Sequence, residues 1–265
     1  MSQLSANLTV MIAAARKAGR ILVRDFGEVE NLLVSVKGAG DFVSAADIRA
    51  EQVIRQEVTE ARPAYGWLGE ESGETAGKDP RRRWIVDPID GTTNFLHGLP
   101  HFAISIGLEQ KGEITAGVVF DPIKNELFFA EKGFGAFMND RRIRVAKDRR
   151  LGDALFATGV PFGDKQSLPE LLPELARLMP ASAGLRRWGV ASLDLCYVAA
   201  GRFDGYWERE LQPWDMAAGI VIAREAGAFV TDLVGKNDIF ARGDIIAGAP
   251  DMMKAMMKHL APKDT

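Results

Sequence analysis

WIVDPIDGTTNFLHG, residues 84–98, starts like a buried strand and then breaks the pattern. After the apolar Trp84, Ile85 and Val86 come two aspartates, Asp87 and Asp90, with Pro88 between them and the small, polar Gly91-Thr92-Thr93 behind. Carboxylates at the end of an apolar strand repel each other and resist desolvation unless positive charge sits between them. The stretch therefore asks for a cation where a strand gives way to the next element.

Upstream, residues 65–68 read as a short strand ending in Glu70-Glu71-Ser72, and residues 73–83 as a polar loop. Residues 4–26 carry apolar side chains at helical spacing. After a polar break containing Gly38 and Gly40, Ser44 is placed to cap a second helix that runs to about residue 61 and stops at Pro63. Downstream, β-like runs at 102–109, 113–120 and 126–130 are separated by turn chemistry at Lys111-Gly112 and Asp121-Pro122. They predict an antiparallel meander. From about residue 145, helices (168–178, 192–200, 214–226, 250–260) alternate with strands near 155–158, 205–207, 228–231 and 245–247. The expectation is an α/β (α+β) protein with an N-terminal α+β subdomain, 1–140, and a second α/β subdomain, 141–265, completing the site.

Composition narrows the function. The 265 residues are 47% hydrophobic and 26% charged with net charge −3, so no global field invites nucleic acid or an anionic membrane. No segment approaches the roughly 20 apolar residues of a membrane span, and no signal peptide is legible, so a cytoplasmic protein is expected. The single cysteine, Cys196, lies in an apolar helical stretch and reads as core. The basic run from Arg141 to Arg150 includes Asp140 at its edge and Asp148 within it, with no interleaved aromatics, and reads as a solvated hairpin and linker; nucleic acid is not an expected partner.

Three acidic motifs carry the chemistry: Gly69-Glu70-Glu71-Ser72, Asp87-Pro88-Ile89-Asp90-Gly91-Thr92 and Trp214-Asp215-Met216-Ala217-Ala218-Gly219. Taken singly, each has a bland reading as a wet loop, a turn or a helix cap. Together they place acids where apolar elements end, pointing toward one interior edge. Oxygen donors without histidine or cysteine nearby select a hard divalent ion, Mg2+ or Mn2+, over zinc. Gly91 permits close backbone approach, and Thr92 and Thr93 can open a helix whose N–H groups bind an anion. Carboxylates for a metal beside amides for phosphate describe metal-assisted phosphoryl transfer. The chain lacks a Gly-x-x-x-x-Gly-Lys loop, which disfavours a nucleotide kinase or GTPase.

These motifs, extended back to Asp41-Phe42-Val43-Ser44-Ala45-Ala46-Asp47 and forward through Gly189 to Glu208, resemble the inositol monophosphatase family over nearly the whole chain. The resemblance implies a layered αβαβα fold and a magnesium-dependent, lithium-sensitive phosphatase with two to three Mg2+ per site. It implies that Glu70, Asp87, the Ile89 carbonyl and Thr92 hold the ion that activates water. Asp87, Asp90 and Asp215 would hold a second, with a third and weaker ion near Glu70. Asp47 would bond the Thr92 hydroxyl and help deprotonate the attacking water, while the Gly91 and Thr92 amides bind phosphate. Ser192, Glu208 and Asp215 would face the alcohol of a small phosphorylated polyol. Ser44 and Ser192 stand where the family commonly has threonine and alanine. The expected substrate is inositol 1-phosphate. Fructose-1,6-bisphosphatase, histidinol-phosphatase and a regulatory partner role with secondary phosphatase activity are the alternatives. A homodimer is implied, although Phe128, Phe129, Phe134 and Phe137 read as core before interface.

Overall fold

The computed structural model describes residues 4–29, 34–38, 41–147, 149–160 and 167–261. Helix α1 (Ala6–Phe26), the hairpin β1 (Val34–Gly38) and β2 (Asp41–Ser44), and helix α2 (Ala45–Ala61) come first. Next are β3 (Tyr65–Gly69), β4 (Gly73–Thr75), β5 (Asp79–Asp90) and the one-turn α3 (Thr92–Leu96). The meander β6 (Ala103–Gln110), β7 (Glu113–Asp121), β8 (Glu126–Glu131), β9 (Gly135–Met138) and β10 (Arg141–Arg142) follows. The remainder is β11 (Leu155–Thr158), α4 (Leu168–Leu178), β12 (Gly184–Arg186), α5 (Ala191–Ala199), β13 (Gly205–Glu208) and α6 (Pro213–Glu225), then β14 (Phe229–Thr231), α7 (Ile239–Arg242), β15 (Ile245–Gly248) and α8 (Pro250–Leu260).

Ser5 starts α1 by accepting the Leu8 N–H at 3.1 Å, and the helix buries Leu8, Met11, Ala15, Ala18 and Leu22 along one stripe. That stripe and α2 cover one face of an eight-stranded sheet, ordered β10-β9-β8-β7-β6-β5-β3-β4. Helices α5 and α6 cover the other face, and beyond them a five-stranded sheet, β12-β11-β13-β15-β14, is backed by α4 and α8. The layers therefore run αβαβα, as the resemblance implies. Cys196 is buried in α5. Among the described residues no helix is long and apolar enough to cross a membrane.

The close fit of α6 on the large sheet depends on a missing pair of side chains. Gly107 and Gly117 stand opposite each other on β6 and β7. A Cβ at Gly107 would come within 2.8 Å of the Ala217 Cβ, and one at Gly117 within 2.6 Å of the Ala218 carbonyl oxygen. With both absent the helix lies on the strand backbones, and the Ser105 hydroxyl donates to the Trp214 carbonyl at 3.2 Å. Ser105 is also the residue paired with Asp87, so the start of α6 is tied beside that acid.

Two stretches differ from the sequence expectation. Residues 73–83 are not a loop throughout, since β4 lies within them and β5 begins at Asp79. Their charge is absorbed across strands: Arg83 sits opposite Glu109 and donates to it at 2.9 Å, and Arg82 stacks over the Tyr65 ring. The polar break after α1 holds the β1–β2 hairpin. The phenylalanines take their core reading, with Phe128 and Phe129 buried and Phe129 stacked on Phe137 at 5.3 Å between centroids. Of the basic run, Arg141 and Arg142 form the exposed edge strand of a hairpin, and Asp148 lies outside the described residues.

Candidate active site

In a regular strand, residues three apart point to opposite faces. Asp87 and Asp90 escape this because the β5–β6 register slips between them: Asp87 pairs with Ser105 and Asp90 with Ala103, so three steps on β5 match two on β6. This bulge at Pro88-Ile89 turns both acids toward one side. The Ile89 N–H closes it by donating to Asp87 Oδ1 at 2.9 Å. Immediately after, Gly91 takes φ +95°, a left-handed conformation, and a side chain there would also meet Val190 Cγ2 at 2.8 Å.

The other motifs arrive by packing. Parallel pairing sets Gly69 against Val86, which places Glu70 beside Asp87. Asp215 is the third residue of α6 rather than its cap, and its Oδ2 accepts the Gln212 N–H at 2.7 Å. Glu70, Asp87, Ile89, Asp90, Gly91, Thr92, Glu208 and Asp215 all line one cavity of about 450 Å³. Asp47 stands behind that wall: its Oδ1 lies 3.2 Å from the Thr92 hydroxyl, which is also 3.0 Å from the Ile89 carbonyl. Asp47 Oδ2 accepts from the Ser44 amide at 2.8 Å and the Ser44 hydroxyl at 2.5 Å, so its position is set by the start of α2. Ser192 enters differently from the expectation. Its N–H donates to Asp90 Oδ2 at 2.7 Å, its hydroxyl is buried, and Ala191 is the residue on the cavity wall.

Burial and mutual repulsion dominate the electrostatics. Asp87 is pushed well above the usual carboxylate range by burial, then by the charges of Glu70, Asp90 and Asp215. Asp215 is raised by burial and by Asp90. Asp90 is raised to about 6 by burial, against the pull of the Ala191 and Ser192 N–H groups. Burial lifts Glu208 to about 7 although the Tyr206 hydroxyl donates to it at 2.6 Å. Asp194, on α5, is fully buried with no hydrogen-bond partner on either oxygen among the described residues, and burial, then the Glu208 charge, pushes its carboxyl well above the ordinary range.

A hard divalent ion fits this donor set. The cavity wall offers carboxylate, carbonyl and hydroxyl oxygens and has no histidine or cysteine, and the buried acids repel one another until a cation joins them. Among the described residues no group of three or more His, Cys, Asp or Glu side chains is already drawn together to hold a metal ion. The acids share a wall without closing on one point, which is the arrangement repulsion favours.

Several residues of the site were given no role by the sequence reading. Glu51, buried in α2, accepts the Glu71 N–H at 2.9 Å and so fixes the Glu70-Glu71 turn. Gly159 leaves the space that the Glu208 carboxylate fills, for a Cβ there would overlap it. Asn94 donates to two carbonyls, those of His101 and Trp188, each at 2.9 Å. Arg187 lines the cavity, and its charge reaches both Glu208 and Asp194. Their partners lie far away in sequence, so only a local hint, such as the asparagine after Thr92-Thr93, could have drawn attention to them.

The inositol monophosphatase family matches residues 3–263. The chain is 55% identical over 252 residues to an inositol-1-monophosphatase of Rhizobium meliloti, covering 95% of each chain. It is 44% identical over 253 residues to the Nus factor SuhB of Vibrio cholerae, covering 96% of this chain and 95% of that protein. The crystal structure of the extragenic suppressor protein SuhB from Bartonella henselae superposes with a TM-score of 0.95 at 55% identity, over 98% of this chain and 100% of that one.

Proposed function

Since the chain belongs to the inositol monophosphatase family, we propose that it is a magnesium-dependent phosphomonoesterase acting on inositol 1-phosphate and other small polyol phosphates. The observation that carries this reading is the shared cavity, in which four mutually repelling acids stand beside the Gly91–Thr92 turn. Glu70, Asp87, the Ile89 carbonyl and Thr92 would hold one ion, and Asp87, Asp90 and Asp215 a second. When bound, such ions polarise the phosphoryl group and make water more acidic.

The chain's own groups do the rest. The Gly91 and Thr92 amides bind the phosphate oxygens and orient phosphorus. As water attacks phosphorus, its proton moves to the Thr92 hydroxyl oxygen while the Thr92 proton passes to Asp47. Burial raises Asp47 above the ordinary carboxylate range, which makes it the stronger base for this step. The ester P–O bond breaks, and the leaving alkoxide takes a proton from solvent. Glu208 and Asp215 accept from hydroxyls of the alcohol, and Ser192 contributes through its place in the first turn of α5. Elements of 1–140 and 141–265, the two subdomains of this reading, both wall the cavity. A cytoplasmic, lithium-sensitive homodimer completes it.

The test is phosphate release from inositol 1-phosphate, fructose 1,6-bisphosphate and histidinol phosphate, each with magnesium, with magnesium plus lithium, and with chelator. A magnesium-dependent, lithium-sensitive preference for the first is the expected result. Preference for another keeps the chemistry and changes the substrate, and no release from any of them overturns the reading. A second role beside hydrolysis is supported by relatives such as the Vibrio cholerae protein, whose name denotes a Nus factor. Such a role would survive loss of the Asp90 carboxylate.

A further inference from the structure

The two walls of the cavity come from distant parts of the chain. One is the Gly91–Leu96 turn, where the proposed phosphate amides sit; the other is the 187–190 segment that leads into α5. The Asn94 side chain, on the first, bonds to the backbone of the second. Asn94 Nδ2 donates to the His101 carbonyl at 2.9 Å and, 94 residues along the chain, to the Trp188 carbonyl at 2.9 Å. One amide nitrogen has two protons, so both bonds form at once and the nitrogen is fully used. The bridge also brings the Trp188 ring onto His101, edge to face with centroids 4.6 Å apart. Next to it Gly91 abuts Val190, and Asp90 holds the Ser192 N–H.

We propose that Asn94 is a specificity-determining positioning residue, which fixes the separation between the phosphate-binding turn and the alcohol-binding wall by pinning the Trp188 carbonyl. The inference rests on the function proposed above for its kinetic consequence, though not for the bridge itself. The geometry gives the reason. In the reading above Glu208 and Asp215 meet the alcohol, and Arg187, Gly189 and Ala191 line the same cavity, whereas Gly91 and Thr92 meet the phosphoryl group common to every substrate. Trp188 is 38% exposed and its ring packs on His101, Tyr197 and Phe203, while the Asn94 bond to its carbonyl ties its backbone to the phosphate-binding turn. Loosening that anchor leaves the phosphate end in place and lets the alcohol wall drift. The lost precision falls on substrates that use both ends.

The test compares the wild type with Asn94→Leu, which keeps the volume without donors, and Asn94→Ala, which removes the side chain. Two readouts apply to the full chain. The first is amide hydrogen exchange of the peptide spanning 186–193, read without substrate, with the β6 peptide 103–110 as internal reference. The expected result is exchange at least tenfold faster in the first peptide and unchanged in the second. The second readout is kcat/KM for inositol 1-phosphate and for p-nitrophenyl phosphate, a flat aryl ester without ring hydroxyls. The ratio of the two is expected to fall at least fivefold, through KM for the polyol ester. Unaltered exchange in both variants overturns the bridge, whatever the protein hydrolyses. Faster exchange with the kinetic ratio held overturns the specificity role. If the wild type hydrolyses neither ester, the reading of function falls and exchange alone decides the bridge.

Discussion

Asp90 accepts the N–H groups of Ala191 and Ser192 while sharing its cavity with Glu70, Asp87 and Asp215. Hydrogen bonds from Ser192 and Ala191 favour its charge and burial opposes it, and burial prevails, because the group is raised to about 6. Asn at this position keeps an acceptor for the α5 amides and removes the charge. Asp90→Asn is therefore expected to fold, and to melt higher than the wild type at pH 7.5 in chelator, since one ionised, repelling acid has gone. Its turnover should fall by more than about 100-fold, the loss that even outer partners of a metal site can produce. Calorimetric melting and phosphate release check the pair of effects, and near wild-type turnover would remove Asp90 from the proposed metal set. Such acids were legible in the sequence because a carboxylate interrupting an apolar run has no cheap explanation. The parts played by Glu51, Asn94 and Gly159 were not legible, since each acts on a partner, Glu71, Trp188 or Glu208, at a distance that no local pattern encodes.

At the scale of elements, the site depends on a bulge and on a helix packed without intervening side chains. The bulge turns Asp87 and Asp90 the same way, and the Gly107–Gly117 pair lets α6 bring Asp215 to them. Gly117→Ala would set a methyl group 2.6 Å from the Ala218 carbonyl oxygen, and a helix backbone cannot yield as a side chain can. The expected outcome is a loss of about 1–3 kcal/mol, the usual range for overpacking, read by urea unfolding. Magnesium affinity measured by titration calorimetry should weaken with it as Asp215 lifts from the sheet. If stability falls with affinity unchanged, α6 does not set the position of Asp215. Most elements were readable from periodicity and turns, including the meander and the helices that alternate with strands after residue 145. The start of β5 was not, because Arg82 and Arg83 look like loop until Tyr65, Glu109 and Glu74 lie beside them. A strand whose charges are matched across the sheet has no hydropathic signature of its own.

For the whole molecule, the buried acids make stability depend on pH and on metal together. Asp90 titrates at about 6 and Glu208 at about 7 in the fold, against ordinary values of 3.8 and 4.5, and Asp87 and Asp215 are raised as well. A raised carboxyl binds its proton more tightly folded than unfolded. Its contribution is fully present below the unfolded value and is lost as pH rises through the folded one. His101 works in the opposite sense: burial and Lys124 lower it to about 4, so it costs stability as pH falls from 6.5 toward 4. Between those values the two effects oppose each other and the slope is shallow. From pH 6.5 upward the unfolded histidine loses its remaining proton, its opposing effect fades by about pH 7.5, and the several raised acids outweigh it. The metal-free protein is therefore expected to lose stability from pH 6.5 to 8, by several degrees in Tm at about 2–4 °C per kcal/mol for a chain of this size. Saturating magnesium at fixed ionic strength should raise Tm and flatten or reverse the slope, because the ion takes over the role of the protons and binds better as they leave. Calorimetric scans at pH 6.5, 7.2 and 8, with chelator and with magnesium, decide it. A metal-free Tm that rises with pH would mean these acids do not share one repulsive site, and the proposed chemistry would lose its electrostatic basis.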